Sequence, residues 1–226
     1  MLKMSTHENI RFYEEILYPF QDEICHIIKN DNFYLSGGTC LSRFYYQHRY
    51  SDDLDFFYDG LNGSKEGFTI ESREISKRIS EEYRVEIEID REYFKRIYVY
   101  KDKTPLKIEF VYENYKNIGD RQKYNEIMVD TKQNLCANKI TAIYDRKTVK
   151  DFIDLYYLMK EFKFEQAAVW AKEKMTLLDY EGLSIVFADN TLEGEVLLIK
   201  EIDINDFNTF KEKLIGQMFE YAKNSR

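Results

Sequence analysis

Residues 33–58, FYLSGGTCLSRFYYQHRYSDDLDFFY, hold two short motifs whose residue types handle phosphate. Asp53 and Asp55 lie two residues apart in the run Asp-Leu-Asp-Phe-Phe. On a strand, residues i and i+2 share one face about 6.5 to 7 Å apart, so both carboxylates project together while Leu54 and Phe56 turn into a core. Two carboxylates on one face can converge on one or two divalent cations. Upstream, Phe33-Tyr34-Leu35 runs into Ser36-Gly37-Gly38-Thr39, which reads as a strand stopping at a glycine turn, with Thr39 capping the next helix. Bare amides at a helix N-terminus suit a phosphate. Together the parts suit metal-assisted phosphoryl or nucleotidyl transfer. Each alone is weak: Gly-Gly turns are common, and Asp-x-Asp often marks a solvated strand end. An EF-hand is excluded, because counting from Asp53 puts Phe57 at a ligand position and Tyr58 at the required glycine. The conjunction carries the reading.

The elements that must position these residues follow from periodicity. Residues 5–29 repeat Ile10, Phe12, Tyr13, Ile16, Leu17, Phe20, Ile24, Ile27 and Ile28 at helical spacing, with Pro19 placed to bend or divide the helix. A helix over 39–47 links the glycine turn to the aspartate strand. His48 reads as a structural residue or substrate contact; Arg49 can either reach phosphates or pair with Asp52 or Asp53. After a turn at 60–65 and an amphipathic helix over 67–82, strands are expected at 83–90, 93–100 and 105–112. In the last, Leu106, Ile108 and Phe110 alternate with Lys107, Glu109 and Val111, the pattern of a half-buried strand. Glu109 is thereby a candidate third carboxylate with Lys107 beside it; Glu88 is its competitor, and an exposed strand face is the bland alternative.

The polar stretch 113–130 reads as a subdomain boundary, and helices follow. Over 131–145, Leu135, Cys136 and Ile143 share a face that also holds Lys139. A lysine there is costly unless it snorkels or finds an anion, and phosphates in a cleft would supply one. Arg146 falls on the same side if the helix persists. The next helix, from about Lys150, has Phe152, Leu155, Tyr156 and Met159 on its apolar face, Asp151 at the margin and Asp154 nearer the back. Helical geometry leaves open which aspartate acts. The remainder, 161–226, reads as mostly helical, with an amphipathic segment over 205–222 and Trp170 in the core.

The run Gly37-Gly38-Thr39, Leu41, His48-Arg49, Ser51 and Asp53-Leu54-Asp55-Phe56-Phe57 resembles the signature of the AbiEii-type nucleotidyltransferase toxins, within the DNA polymerase beta-like superfamily. The resemblance is dense over about 25 residues and looser elsewhere. It implies an α+β fold: a small mixed or antiparallel nucleotidyltransferase sheet flanked by helices, then a helical C-terminal subdomain. It divides the chain into a catalytic domain, 1–125, and a helical domain, 126–226, that contributes Lys and Asp to the cleft. It implies catalytic Asp53, Asp55, Glu109, Lys139 and Asp151, with Lys139 ahead of Arg146-x-x-x-Lys150-Asp151 and Asp151 favoured over Asp154. Gly37, Gly38, Thr39, Arg49, Lys139 and Arg146 would bind nucleotide; Asp53, Asp55 and Glu109 would hold Mg2+, with Mn2+ as the other candidate. The implied partners are an NTP, an acceptor such as tRNA and a cognate antitoxin, in a toxin–antitoxin or phage-defence setting. The rivals are a small-molecule, aminoglycoside-type nucleotidyltransferase and a non-catalytic nucleotide-binding protein.

Composition bounds these options. The 226 residues, 44% hydrophobic and 33% charged, suffice for a well-filled core. No apolar run approaches the roughly 20 residues of a membrane span, and the first twenty residues lack a signal-peptide core. The three cysteines, Cys25, Cys40 and Cys136, and the three histidines are scattered, which argues against a zinc site and for reduced thiols in a cytoplasm. A net charge of −8 lacks the basic surface typical of nucleic-acid binders. DNA and membranes are not expected partners, and tRNA would need a local patch.

Overall fold

The structure is a computed structural model that describes residues 2–189 and 194–224. It has two compact units: one of residues 5–45 and 50–131, the other of 2–4, 46–49 and 132 onward.

The first unit is built on a mixed sheet. Among the described residues it has seven strands, in the order Arg84–Arg91, Phe94–Lys101, Thr104–Glu113, Leu54–Asp59, Phe33–Ser36, Ile127–Val129 and Gln122–Tyr124. Pairing is antiparallel except at two places. Leu54–Asp59 runs parallel to Thr104–Glu113, and Phe33–Ser36 runs parallel to Ile127–Val129. The period-2 reading of 106–110 holds: Leu106, Ile108 and Phe110 are fully buried, while Lys107 and Glu109 are partly exposed on the other face. Leu54 and Phe56 alternate with Asp55 in the same way.

That apolar face lies under the helix Lys65–Ser80, which starts on the Ser64 hydroxyl cap and buries Phe68, Ile75 and Ile79. Phe33, Phe56, Phe68, Tyr58 and Phe110 meet there as edge-to-face, tilted and stacked rings. This is where much of the aromatic share goes. Cys25 and Cys40 are buried, unpaired thiols of this unit, as Cys136 is of the other.

Local departures from the sequence reading have local causes. The N-terminal helix spans His7–Ile28 but passes through a wide π turn over Phe12–Leu17. Pro19 sits in the first turn after it, where a missing N–H does least harm. The polar stretch after 113 contains a hairpin, Gln122–Tyr124 with Ile127–Val129, turning at Asn125 with φ +52°. Asparagine tolerates that left-handed backbone, and the short apolar run Ile127-Met128-Val129 was the available signal.

The second unit is mainly helical: Lys132–Asp145, Val149–Leu158, Phe164–Lys174, Tyr180–Ala188 and Ile204–Asn224. A short parallel pair, Leu2–Met4 with Val196–Leu198, joins them; neither strand is evident from periodicity. The helical reading toward 226 is described as far as Asn224, and its last two residues lie outside the described part. No helix among the described residues is long and apolar enough to cross a membrane.

Phe110 has 0% exposure and packs between Phe33 and Phe56. Phe110→Ala should therefore cost about 3–5 kcal/mol, read as a lower midpoint with unchanged slope in urea denaturation.

Candidate active site

Antiparallel pairing of Phe33–Ser36 with Leu54–Asp59 sets Ser36 opposite Asp55. Gly37, the next residue, has φ +69°, a left-handed conformation open to glycine at little cost. A β-carbon added there would lie 2.1 Å from Asp55 Oδ2. The turn and the carboxylate are thus in direct contact, and only a missing side chain allows it. The helix begins at Gly37 itself, with Ser36 at the cap position and no side-chain cap bond. This corrects the expectation that Thr39 caps it. The Thr39 hydroxyl instead donates to the Asp53 carbonyl and pairs with Ser51 Oγ at 2.9 Å. It tethers the first turn of the helix to the start of the aspartate strand. Ser36 Oγ donates to Asp130 Oδ2 at 2.6 Å, and both residues are fully buried. Asp130, missed by the sequence reading, has no signal in periodicity.

On the other side of the aspartate strand, the parallel register places Asp55 beside Glu109. Lys107, two residues earlier and on the same face, puts its Nζ 2.8 Å from Asp53 Oδ2 and 3.4 Å from Glu109 Oε1. Burial alone would lower the Lys107 ammonium. The bond to Asp53 and the charges of Asp53, Glu109 and Asp55 outweigh it and hold the group above the ordinary lysine value. Arg96, opposite Glu109 on the next strand, donates to Glu109 Oε1 at 2.8 Å and to Glu88 Oε2 at 3.0 Å. Glu88 itself lies on the edge strand, with two strands between it and the aspartate strand. At about 4.8 Å per strand, it stands roughly 10 Å further from Asp55 than Glu109 does.

The second unit gathers the late residues. Asp154 is fully buried and accepts from Arg49 Nε at 2.7 Å and Nη2 at 2.8 Å, with His48 Nε2 at 2.7 Å and Lys139 Nζ at 2.6 Å. Lys139 also reaches Asp151 Oδ1 at 2.7 Å. Arg146 Nε holds Asp151 Oδ2 at 2.9 Å, and the Thr148 hydroxyl donates to the same oxygen. The lysine in the apolar stripe therefore finds its anions in Asp151 and Asp154. Arg49 pairs with Asp154 rather than with Asp52 or Asp53.

Burial would raise both carboxyls. The charges of Lys139 and Arg146 bring Asp151 down to about 2, and those of Arg49 and Lys139 carry Asp154 well below the usual range. Burial would lower Lys139, but Asp154 and Asp151 raise it. Burial keeps His48 below its ordinary value despite Asp154. A neutral His48 then donates from Nε2 to Asp154, leaving Nδ1 without a hydrogen-bond partner among the described residues. The role of Asp154 as the hub of three side chains was not visible in helical geometry, because two of them come from 48–49.

A family model described as "Nucleotidyl transferase AbiEii toxin, Type IV TA system" matches residues 21–222. The chain belongs to the AbiEii nucleotidyltransferase toxin family. Membership makes it a nucleotidyltransferase and implies a nucleotide substrate and a cognate antitoxin. An uncharacterized protein of Aquifex aeolicus is 28% identical over an alignment of 176 residues that covers 72% of this chain and 77% of that protein. A solved structure described as a putative nucleotidyltransferase from H. pylori superposes with TM-score 0.62 at 18% identity, covering 98% of this chain and 99% of that one. MenT4, a nucleotidyltransferase toxin from Mycobacterium tuberculosis H37Rv, superposes with TM-score 0.55 at 14% identity, over 90% and 83% of the two chains. At such identities these structures speak for the AbiEii-type fold alone.

Two outcomes follow. Gly37→Ala should push Asp55 off the turn and cut nucleotide transfer by tenfold or more, with the melting temperature monitored in parallel to separate local from global damage. Asp151 and Asp154, being depressed, contribute stability that is full above the unfolded carboxyl value near 3.8 and is lost as pH falls through the folded values. Asp154→Ala should cost about 3–5 kcal/mol at pH 7 by stranding buried cations. The stability gap to wild type should narrow in melts taken from pH 5 toward pH 2.

Proposed function

We propose that the chain transfers a nucleoside monophosphate from an NTP to an acceptor hydroxyl, as the toxin of a toxin–antitoxin or phage-defence pair. The observation that supports this best is the Gly37 turn pressed against Asp55, with Glu109 beside Asp55 in register. The backbone N–H groups of Gly37, Gly38 and Thr39 would hold the β and γ phosphates. Asp53, Asp55 and Glu109 would hold the divalent metal, Mg2+ or Mn2+.

The donor set suits such an ion in chemistry: the hard carboxylate oxygens of Asp55 and Glu109, side by side in register, and of Asp53 just before the strand. Among the described residues no three His, Cys, Asp or Glu side chains are already grouped to hold a metal, and the Lys107 ammonium lies between Asp53 and Glu109. That cation marks the carboxylates as a place where positive charge is favoured. When bound, the metal supplies activation of the acceptor hydroxyl and charge neutralisation on the leaving pyrophosphate. Lys139 and Asp151 are carried as catalytic residues on the family resemblance, with Asp151 orienting Lys139 through their 2.7 Å bond. Arg146, 55% exposed, is the member of that cluster most open to a phosphate. Arg49, buried on Asp154, would support nucleotide binding by neutralising that hub.

The acceptor is proposed to be a tRNA end or another cellular RNA hydroxyl. The net charge of −8 favours instead a cationic small molecule drawn to an acidic surface, and this second reading is separable by experiment. Purified protein with labelled NTPs and Mg2+ should label a total tRNA pool and leave aminoglycosides unlabelled; the reverse would select the small-molecule reading. Asp53→Ala and Asp55→Ala should each reduce incorporation by about a hundredfold or more. Unchanged incorporation would remove the mechanism, and nucleotide binding without any incorporation would leave only a binding protein.

A further inference from the structure

Lys107 is not assigned by the transfer chemistry, yet it is the side chain most intimately engaged with its acids. Its Nζ stands 2.8 Å from Asp53 Oδ2 and 3.4 Å from Glu109 Oε1, and Asp55 acts on it electrostatically. We propose that the Lys107 ammonium is a resident counter-cation that occupies the metal position between Asp53 and Glu109, so that metal enters only together with a triphosphate. The inference rests on the metal role of Asp53 and Glu109 proposed above.

Three observations carry it. First, Lys107 and Glu109 are i and i+2 on one strand, paired in parallel to the strand bearing Asp55. The ammonium is therefore anchored at this face, while its flexible four-carbon stem allows it to withdraw by several ångströms without backbone change. Second, the carboxylates are not equally dependent on it. Glu109 is also held by Arg96 at 2.8 Å, and so stays compensated when Lys107 leaves. Asp53 forms its ion pair with Lys107. Third, an aqueous divalent ion gives up its water reluctantly and is normally held by one or two carboxylates plus phosphate oxygens. Against a fixed ammonium, carboxylates alone are a poor exchange for that hydration shell. A triphosphate changes the balance twice, by adding oxygen ligands and by offering the displaced ammonium a new anion. Lys107 then becomes a phosphate contact in the loaded state, which Arg96, tied to Glu109 and Glu88, is not free to be.

The test measures Mn2+ binding to the full chain by electron paramagnetic resonance of the free ion, without nucleotide and then with a non-transferable triphosphate. Wild type should bind Mn2+ weakly alone and much more tightly with the triphosphate. Lys107→Met should tighten nucleotide-free binding about tenfold or more and shrink the gain brought by the triphosphate. Lys107→Gln repeats the measurement if the methionine variant melts early. Lys103→Met, which removes the same charge from the exposed turn nearby, should change binding by less than about twofold. Unchanged or weaker Mn2+ binding in both Lys107 variants overturns the proposal. So does equal tightening by Lys103→Met, which would reduce the effect to overall charge. Asp53→Asn separates the two levels: loss of Mn2+ binding in that variant keeps the metal assignment even where the Lys107 result fails. Undiminished binding removes the assignment and this inference with it.

Discussion

The parallel ladder between Leu54–Asp59 and Thr104–Glu113 is the constraint on which the rest turns. A one-residue slip of either strand would turn that strand's side chains to the opposite faces, sending Asp55 into the aromatic core and Phe56 into water, or Glu109 into the core and Phe110 into water. The burial of Leu106, Ile108 and Phe110 under the Lys65–Ser80 helix is what forbids that slip. The hydrophobic face thus does more than stabilise: it fixes which oxygen atoms stand side by side on the opposite face. The antiparallel partner, Phe33–Ser36, then brings the glycine turn to Asp55 from the other edge of the same strand.

Much of this was legible in the residues themselves. The alternation over 106–110 implied Glu109 on the polar side, and Ser36-Gly37-Gly38-Thr39 implied a turn into a helix; of the two aspartates, Asp55 lies on the expected strand, while Asp53 stands just before its first residue, Leu54. These are local signals, set by periods of 2 and 3.6 and by the freedom of glycine. What was not legible is non-local. Nothing in 48–49 announces a buried carboxylate more than a hundred residues away, and helix geometry alone could not rank Asp151 against Asp154. Both turn out to be buried ions that share Lys139, with Arg146 added at Asp151 and Arg49 at Asp154. The Ser36–Asp130 bond escaped for the same reason, since it joins residues 94 positions apart. Thr39 was misread because threonine near a helix start usually caps it; here a nearer claim, from the Asp53 carbonyl, takes the hydroxyl.

The two clusters manage charge in contrasting ways. Around Asp53 and Glu109 the cations are partly exposed and borne on flexible side chains, so the arrangement can be exchanged. Around Asp154 the partners are buried and mutually dependent, and removing one strands the others at a cost of several kcal/mol. The first arrangement suits groups that must accept a ligand and release a product. The second suits groups that must hold one geometry.

The chain passes between its two compact units at 4/5, 45/46, 49/50 and 131/132. The short excursion 46–49 delivers His48 and Arg49 to Asp154, deep inside the helical unit. A fragment cut at 131/132 would keep the acid and lose two of its neutralising groups, so neither piece is a self-sufficient module. Recombination that swaps one half for a homologous half must therefore carry those four residues with the helices, or it inherits a carboxylate left to Lys139 alone.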